Sequence, residues 1–263
     1  MQTFLVPTPV FNHLRAFHPS SCESRVRSNE ITGFSPRIRH AGPMAAGTGI
    51  RLQLSATLAV TAALMVLIET PFFASLRPGY SHVANTISEL GETGAARARQ
   101  VAWAFFLPVG LLVWLALWLV HREVPGQKAS FILAAMSCLG TGYVMAAVFP
   151  CDPGAPLWGS WRTQVHNVFG CLDYEGTGIA FLLVSRHFAR RNATIPAVAF
   201  LLASALVFVG LVLIALPATF HIRGAVQRAT EVLQFTGLFF ICTFLPKPTI
   251  FKKSDAPAEN ENR

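Results

Sequence analysis

The chain has 263 residues, 52% of them hydrophobic and only 13% charged, with a mean hydropathy of +0.47. Soluble domains carry about 25% charged residues, so an ordinary globular class is excluded. The net charge of +8 and pI near 9.8 point toward anionic partners, but no basic helix or aromatic-basic platform accompanies the charge, and nucleic-acid binding is excluded as well.

Residues 1–49 scatter Pro, Ser, Arg and His without helical or strand periodicity, so no packed element is expected there. They form a disordered basic extension, or lie upstream of a start at Met44. Six apolar stretches follow: Leu52 to Phe73, Val101 to Val120, Ser130 to Pro150, Val168 to Ser185, Pro196 to Leu216 and Ala229 to Leu245. Each approaches the ~20 residues with which an α-helix crosses a ~30 Å hydrocarbon core. None shows the strict alternation of a membrane β-barrel. The expected fold class is all-α: a polytopic bundle of six transmembrane helices over residues 50–246, ending in a disordered polar tail at 247–263. Of 21 Lys and Arg, fifteen lie in the N-terminal segment, the second and fourth loops and the tail, and six in the first, third and fifth loops. By the positive-inside rule both termini face the cytoplasm. Trp103, Trp158 and Trp161 then mark the outer interface, and Trp114 and Trp118 the inner one.

Glu69, Asp173, Glu175 and Glu231 are the only charged side chains within the six stretches. An intramembrane carboxylate costs about 2.5 to 3.5 kcal/mol on insertion scales, which makes such residues candidates for function. In the first loop Val83, Ile87 and Leu90 recur at helical spacing, as in an amphipathic helix lying on the interface. Thr86 and Glu89 match a capping box instead, and the two readings place the helix start differently.

The third loop holds Asp152-Pro153-Gly154, a turn signature, and reaches His166-Asn167 before the fourth span. His166 and Asp173, seven residues apart, share a helix face, whereas Glu175 lies about 160° from Asp173. Gly170, Gly176 and Gly178 suit close helix approach. The fifth loop carries His221, Arg223 and Arg228, and Arg228 has the spacing to pair with Glu231 on one helix face. Cys22, Cys138, Cys151, Cys171 and Cys242 form no C-x-x-C pair, so unpaired thiols are expected.

The Ile87-Ser88-Glu89-Leu90-Gly91 block, Phe149-Pro150-Cys151-Asp152, the later His166 and the Gly224 to Arg228 segment resemble a bacterial six-helix membrane family known as domain of unknown function 998. The resemblance spans roughly Leu52 to Leu245 and implies the helix count, the motif positions and a bacterial inner membrane. Asn167 stands where the resemblance leads one to expect an acid after the His. The family supplies no activity.

The expected functional region is an outward-facing polar cluster of Glu89, Asp152, His166, Asp173, His221, Arg223, Arg228 and Glu231, with membrane lipids as partners. Three functions fit it. Arg223 and Arg228 bind or move a lipid headgroup or small solute. Alternatively Asp152, His166 and Asp173 hold a metal that activates water for a membrane hydrolase or lipid-modifying enzyme. In the third reading the cluster only locks a non-catalytic scaffold. An arginine-lined opening toward lipid favours the first, two His and two acids at metal-bonding distance the second, and closed Arg-acid pairs the third. Neither cofactor nor oligomeric state is legible.

Overall fold

The computed structural model describes residues 46–124 and 126–246, and the expected N-terminal extension and C-terminal tail lie outside that range. Six long helices carry the architecture: α1 (Ala46–Ser75), α2 (Ala98–Glu123), α3 (Gln127–Val148), α4 (Trp161–Ala189), α5 (Thr194–Ala215) and α6 (Arg223–Phe244). No strand occurs among the described residues. The first five helices are long and apolar enough to cross a membrane. The sixth carries Arg223, Arg228 and Glu231 in its opening turns, so its apolar run begins late.

Each helix packs on its chain neighbour, and α6 closes the ring between α5 and α1. Without a hydrophobic drive between helices in lipid, small residues set how closely backbones approach. A Cβ on Gly110 of α2 would lie 2.6 Å from the Gly140 carbonyl oxygen of α3, and one on Gly176 of α4 would lie 2.6 Å from the Ala135 carbonyl oxygen of α3. Gly178 packs against the Phe208 ring of α5, but Gly170 meets nothing within 4 Å and is not a packing glycine. Pro108 does not break α2. A π turn over Val101–Phe106, with the Leu107 N–H reaching back to Ala102, precedes it and absorbs the proline's missing donor.

The fourth helix begins well before Val168. Ser160 caps it by accepting from the Thr163 N–H, so His166 lies on the helix and not in the loop. The first loop does not form the interfacial helix. Ser81 and Asn85 bond neighbouring backbone groups there, competing with helical ladders, and only a short 3₁₀ turn forms at Ser88–Gly91. As a result Val83 is 51% exposed while Ile87 and Leu90 are each 3% exposed.

Candidate functional site

The first, third and fifth loops meet at one end of the ring, and two arginines tie them together. Arg223, at the start of α6, donates to Glu89 Oε1 at 2.8 Å and to the Gly154 carbonyl at 2.7 Å. Arg77 donates to the Glu89 carbonyl and to Glu92 Oε1 at 2.6 Å, and Glu92 Oε2 accepts the Gly154 N–H at 2.8 Å. Glu89 is saturated, because Asn85, the Thr86 amide and the Thr86 hydroxyl also donate to its carboxylate. The Thr86 amide bond is half of a capping box. In place of the reciprocal half, the Glu89 N–H bonds the Thr86 carbonyl.

Arg228 does not pair with Glu231. Its guanidinium donates to the carbonyls of His82, Asn85 and Gly224 at 2.8 to 2.9 Å and to the Tyr80 hydroxyl at 2.7 Å. Burial pushes the Tyr80 phenol above its ordinary range, against the opposing pull of Arg228. Gly224 is required here, since a Cβ would strike the Asn85 carbonyl.

Asp152 closes the third loop on itself. Its carbonyl accepts from Ala155 at 2.9 Å around Pro153 and a Gly154 with φ of 77°, the geometry of a type II turn. Its carboxylate accepts the Ser160 amide at 2.6 Å and hydroxyl at 2.9 Å, and these donors hold it below the usual carboxylate range. Cys151 beside it is buried, and burial with the charges of Glu92 and Glu89 pushes its thiol up to about 12. The four cysteines among the described residues are unpaired.

Beneath this lock lies a chamber of about 50 Å³ between α3, α4 and α6, roofed by Ile87 and Ser88. His166, Asp173, Tyr143, Tyr174 and Glu231 line it. Tyr143 donates to Glu231 at 2.9 Å and Gln234 donates to Asp173 at 3.0 Å. His166 Nδ1 lies 2.9 Å from the Phe149 carbonyl oxygen. A carbonyl only accepts, so Nδ1 carries the proton. Gln227, also at the chamber wall, accepts the Ile87 N–H at 2.6 Å and fixes the roof to α6.

A groove of about 510 Å³ runs between α1 and α6 on the other side of Glu231. Its walls are apolar, with Ala63, Leu67 and Phe235 among them, and the end nearest the first loop carries Thr70, His82, Arg228 and Glu231. The Thr70 hydroxyl is buried without a hydrogen-bond partner, as is Arg228 Nε.

The structure therefore separates the eight expected site residues. Glu89, Arg223 and Arg228 belong to the lock, and His166, Asp173 and Glu231 to the chamber. Asp152 serves the third-loop turn, and His221 is exposed at the surface. Glu175 is exposed on α4 and Glu69 is half-buried, so of the four acids within the apolar stretches Asp173 and Glu231 line the chamber. Among the described residues no three His, Cys, Asp or Glu side chains are grouped to hold one metal ion. Sequence reasoning passed over Tyr143 and Gln234 and met Gln227 only within the Gly224 to Arg228 segment. The spacing of Gln227, Glu231 and Gln234, four and then three residues apart, is a polar stripe on one helix face and was the available signal.

The model of a family described as a protein of unknown function (DUF998) matches residues 57–243. No curated protein and no solved structure matches the chain.

Proposed function

The chain belongs to the DUF998 family of unknown function, and because membership brings no activity with it, we propose from the geometry that this multi-pass membrane protein binds a single lipid or similar amphiphile. The tail lies between α1 and α6, and the polar head meets Arg228 and Glu231. The proposal takes α6 as a sixth span, places both termini in the cytoplasm and assigns the chain to a bacterial inner membrane.

The groove carries this reading. Its volume of about 510 Å³ falls within the roughly 300–1,000 Å³ of small-molecule sites, which are mostly apolar with a few convergent polar groups. A cleft of about 440 Å³ beside α4, α5 and α6 is of similar size but has no charged lining residue. What distinguishes the α1–α6 groove is its polar end, where a buried threonine hydroxyl lacks a partner. The closed Arg223–Glu89 and Arg77–Glu92 pairs support a locking role for the loops, and Arg228 is shared between that lock and the polar end of the groove.

Native mass spectrometry of gently extracted protein tests the reading. Wild type should retain one lipid per chain, and Ala63→Trp, which fills the groove from α1, should lose it while remaining folded. Equal retention by both proteins would overturn the proposal.

A further inference from the structure

The chamber above Asp173 and Glu231 has a composition that the groove does not explain. Both acids are nearly sealed from solvent, at 5% and 4% exposure. Neither takes part in any of the ion pairs among the described residues. Each receives one hydrogen bond, from Gln234 and Tyr143 respectively, although a carboxylate has about four lone-pair sites.

A second observation is independent of the acids. Tyr174 is 5% exposed and lines the same chamber, yet its hydroxyl has no hydrogen-bond partner. The carbonyl oxygen of Gln234, whose amide holds Asp173, is likewise buried and unpartnered. Buried polar groups are ordinarily satisfied, and an orphan calls for an explanation.

The polar atoms gathered here are mainly oxygens able to accept or coordinate. Such oxygen sites favour hard cations over the softer metals that seek thiolate or imidazole. Ca²⁺ asks for six to eight oxygens, about twice the three that stay without a hydrogen bond in the chamber lining, one on each acid and the Tyr174 hydroxyl. A volume of about 50 Å³ exceeds the roughly 10–15 Å³ needed for one water and leaves room for one small ion with a few waters. Arg228, three residues before Glu231, is committed to three backbone carbonyls and Tyr80.

We infer that the chamber between α3, α4 and α6 binds one small monovalent cation, Na⁺ or ammonium, coordinated by Asp173 and Glu231 with the Tyr174 hydroxyl. Two acids facing one desolvated space repel each other, and a bound cation converts that repulsion into attraction. Because Glu231 also lines the groove, the ion sets the charge that an amphiphile's head would meet. The cation site itself does not depend on the groove being filled.

The test is thermal unfolding of the full chain in detergent with Na⁺, K⁺, ammonium or N-methylglucamine chloride at one ionic strength, alongside radioactive-sodium binding. A ligand at 100 times its Kd should raise Tm by roughly 5 °C or more. A rise with Na⁺ and one sodium bound per chain identifies the free metal ion, while a rise with ammonium alone identifies the nitrogen cation. Identical Tm in all four salts with no bound sodium overturns the inference and leaves Asp173 and Glu231 as acids carried neutral. Asp173→Asn should abolish the ion-specific rise. Tyr174→Phe removes a hydroxyl with no partner in the fold, so it should reduce the rise while leaving Tm in N-methylglucamine unchanged. If both variants keep the full rise, the ion binds elsewhere and the assignment fails. Ala63→Trp should leave the ion response intact, so failure of the lipid reading and failure of this one are distinguishable.

Discussion

Glu89 is 1% exposed and meets its cationic partner, Arg223, across 134 residues of sequence. A buried charge left without its partner is far costlier than the intact pair is stabilising. Arg223→Ala should therefore cost about 3–5 kcal/mol in denaturant unfolding. Arg223→Lys should fail to restore it, because the guanidinium spans Glu89, Gly154 and Ala155 at once. Pairing Glu89→Gln with Arg223→Met removes both charges and should recover most of the loss. Single variants that unfold within about 0.5 kcal/mol of wild type would show that the pair is not a lock. The Thr86–Glu89 spacing made a local role for Glu89 legible in the sequence. Its pairing with Arg223 was not, since nothing local encodes which fifth-loop residue the first loop will meet.

At the level of elements, the glycines of α3 and α4 divide by what lies against them. Sequence alone treats Gly170, Gly176 and Gly178 alike, as small residues on one membrane helix, but contact depends on the facing side chain. A Cβ on Gly142 of α3 would lie 2.8 Å from Asp173 Cβ and 2.9 Å from its Oδ2, while Gly170 meets nothing within 4 Å. Gly142→Ala should push Asp173 out of place, costing about 1–3 kcal/mol by overpacking. Gly170→Ala should be neutral or stabilise by about 0.4–1 kcal/mol, since alanine restricts the unfolded chain and suits a helix. Measured side by side in SDS unfolding, equal effects of the two changes would remove the packing argument for Asp173. The early start of α4 was missed for a related reason. Trp161-Arg162-Thr163-Gln164 is too polar to read as a span, and the Ser160 cap extends the helix beyond its apolar run.

Across the whole molecule, apolar run length and charge made the helical class and its six elements readable, because lipid forces every spanning backbone group to bond within its own segment. The chamber was only half readable. His166 and Asp173 share a face by helical geometry, but their meeting with Glu231 and Tyr143 depends on ring closure by α6, which no local pattern dictates. The same ring closure brings the first, third and fifth loops together at one end, with the Thr93 amide bonded to the Cys151 carbonyl at 2.8 Å. The turns around Lys128 and Asn192 belong to the opposite end, since successive helices alternate in direction. Cysteines placed at the exposed positions Ala96, Trp158 and Ala218 of an otherwise cysteine-free chain should therefore react with a membrane-impermeant maleimide in intact cells. Cysteines at Lys128 and Asn192, also exposed, should react only after the membrane is opened. The reverse pattern would invert the orientation while leaving the ring intact. Labelling that divides Ala96 from Ala218 would place the ends of α6 on the wrong sides and dissolve the lock, the chamber and the groove together, because all three depend on Arg223, Arg228 and Glu231 entering from the face that holds the first loop.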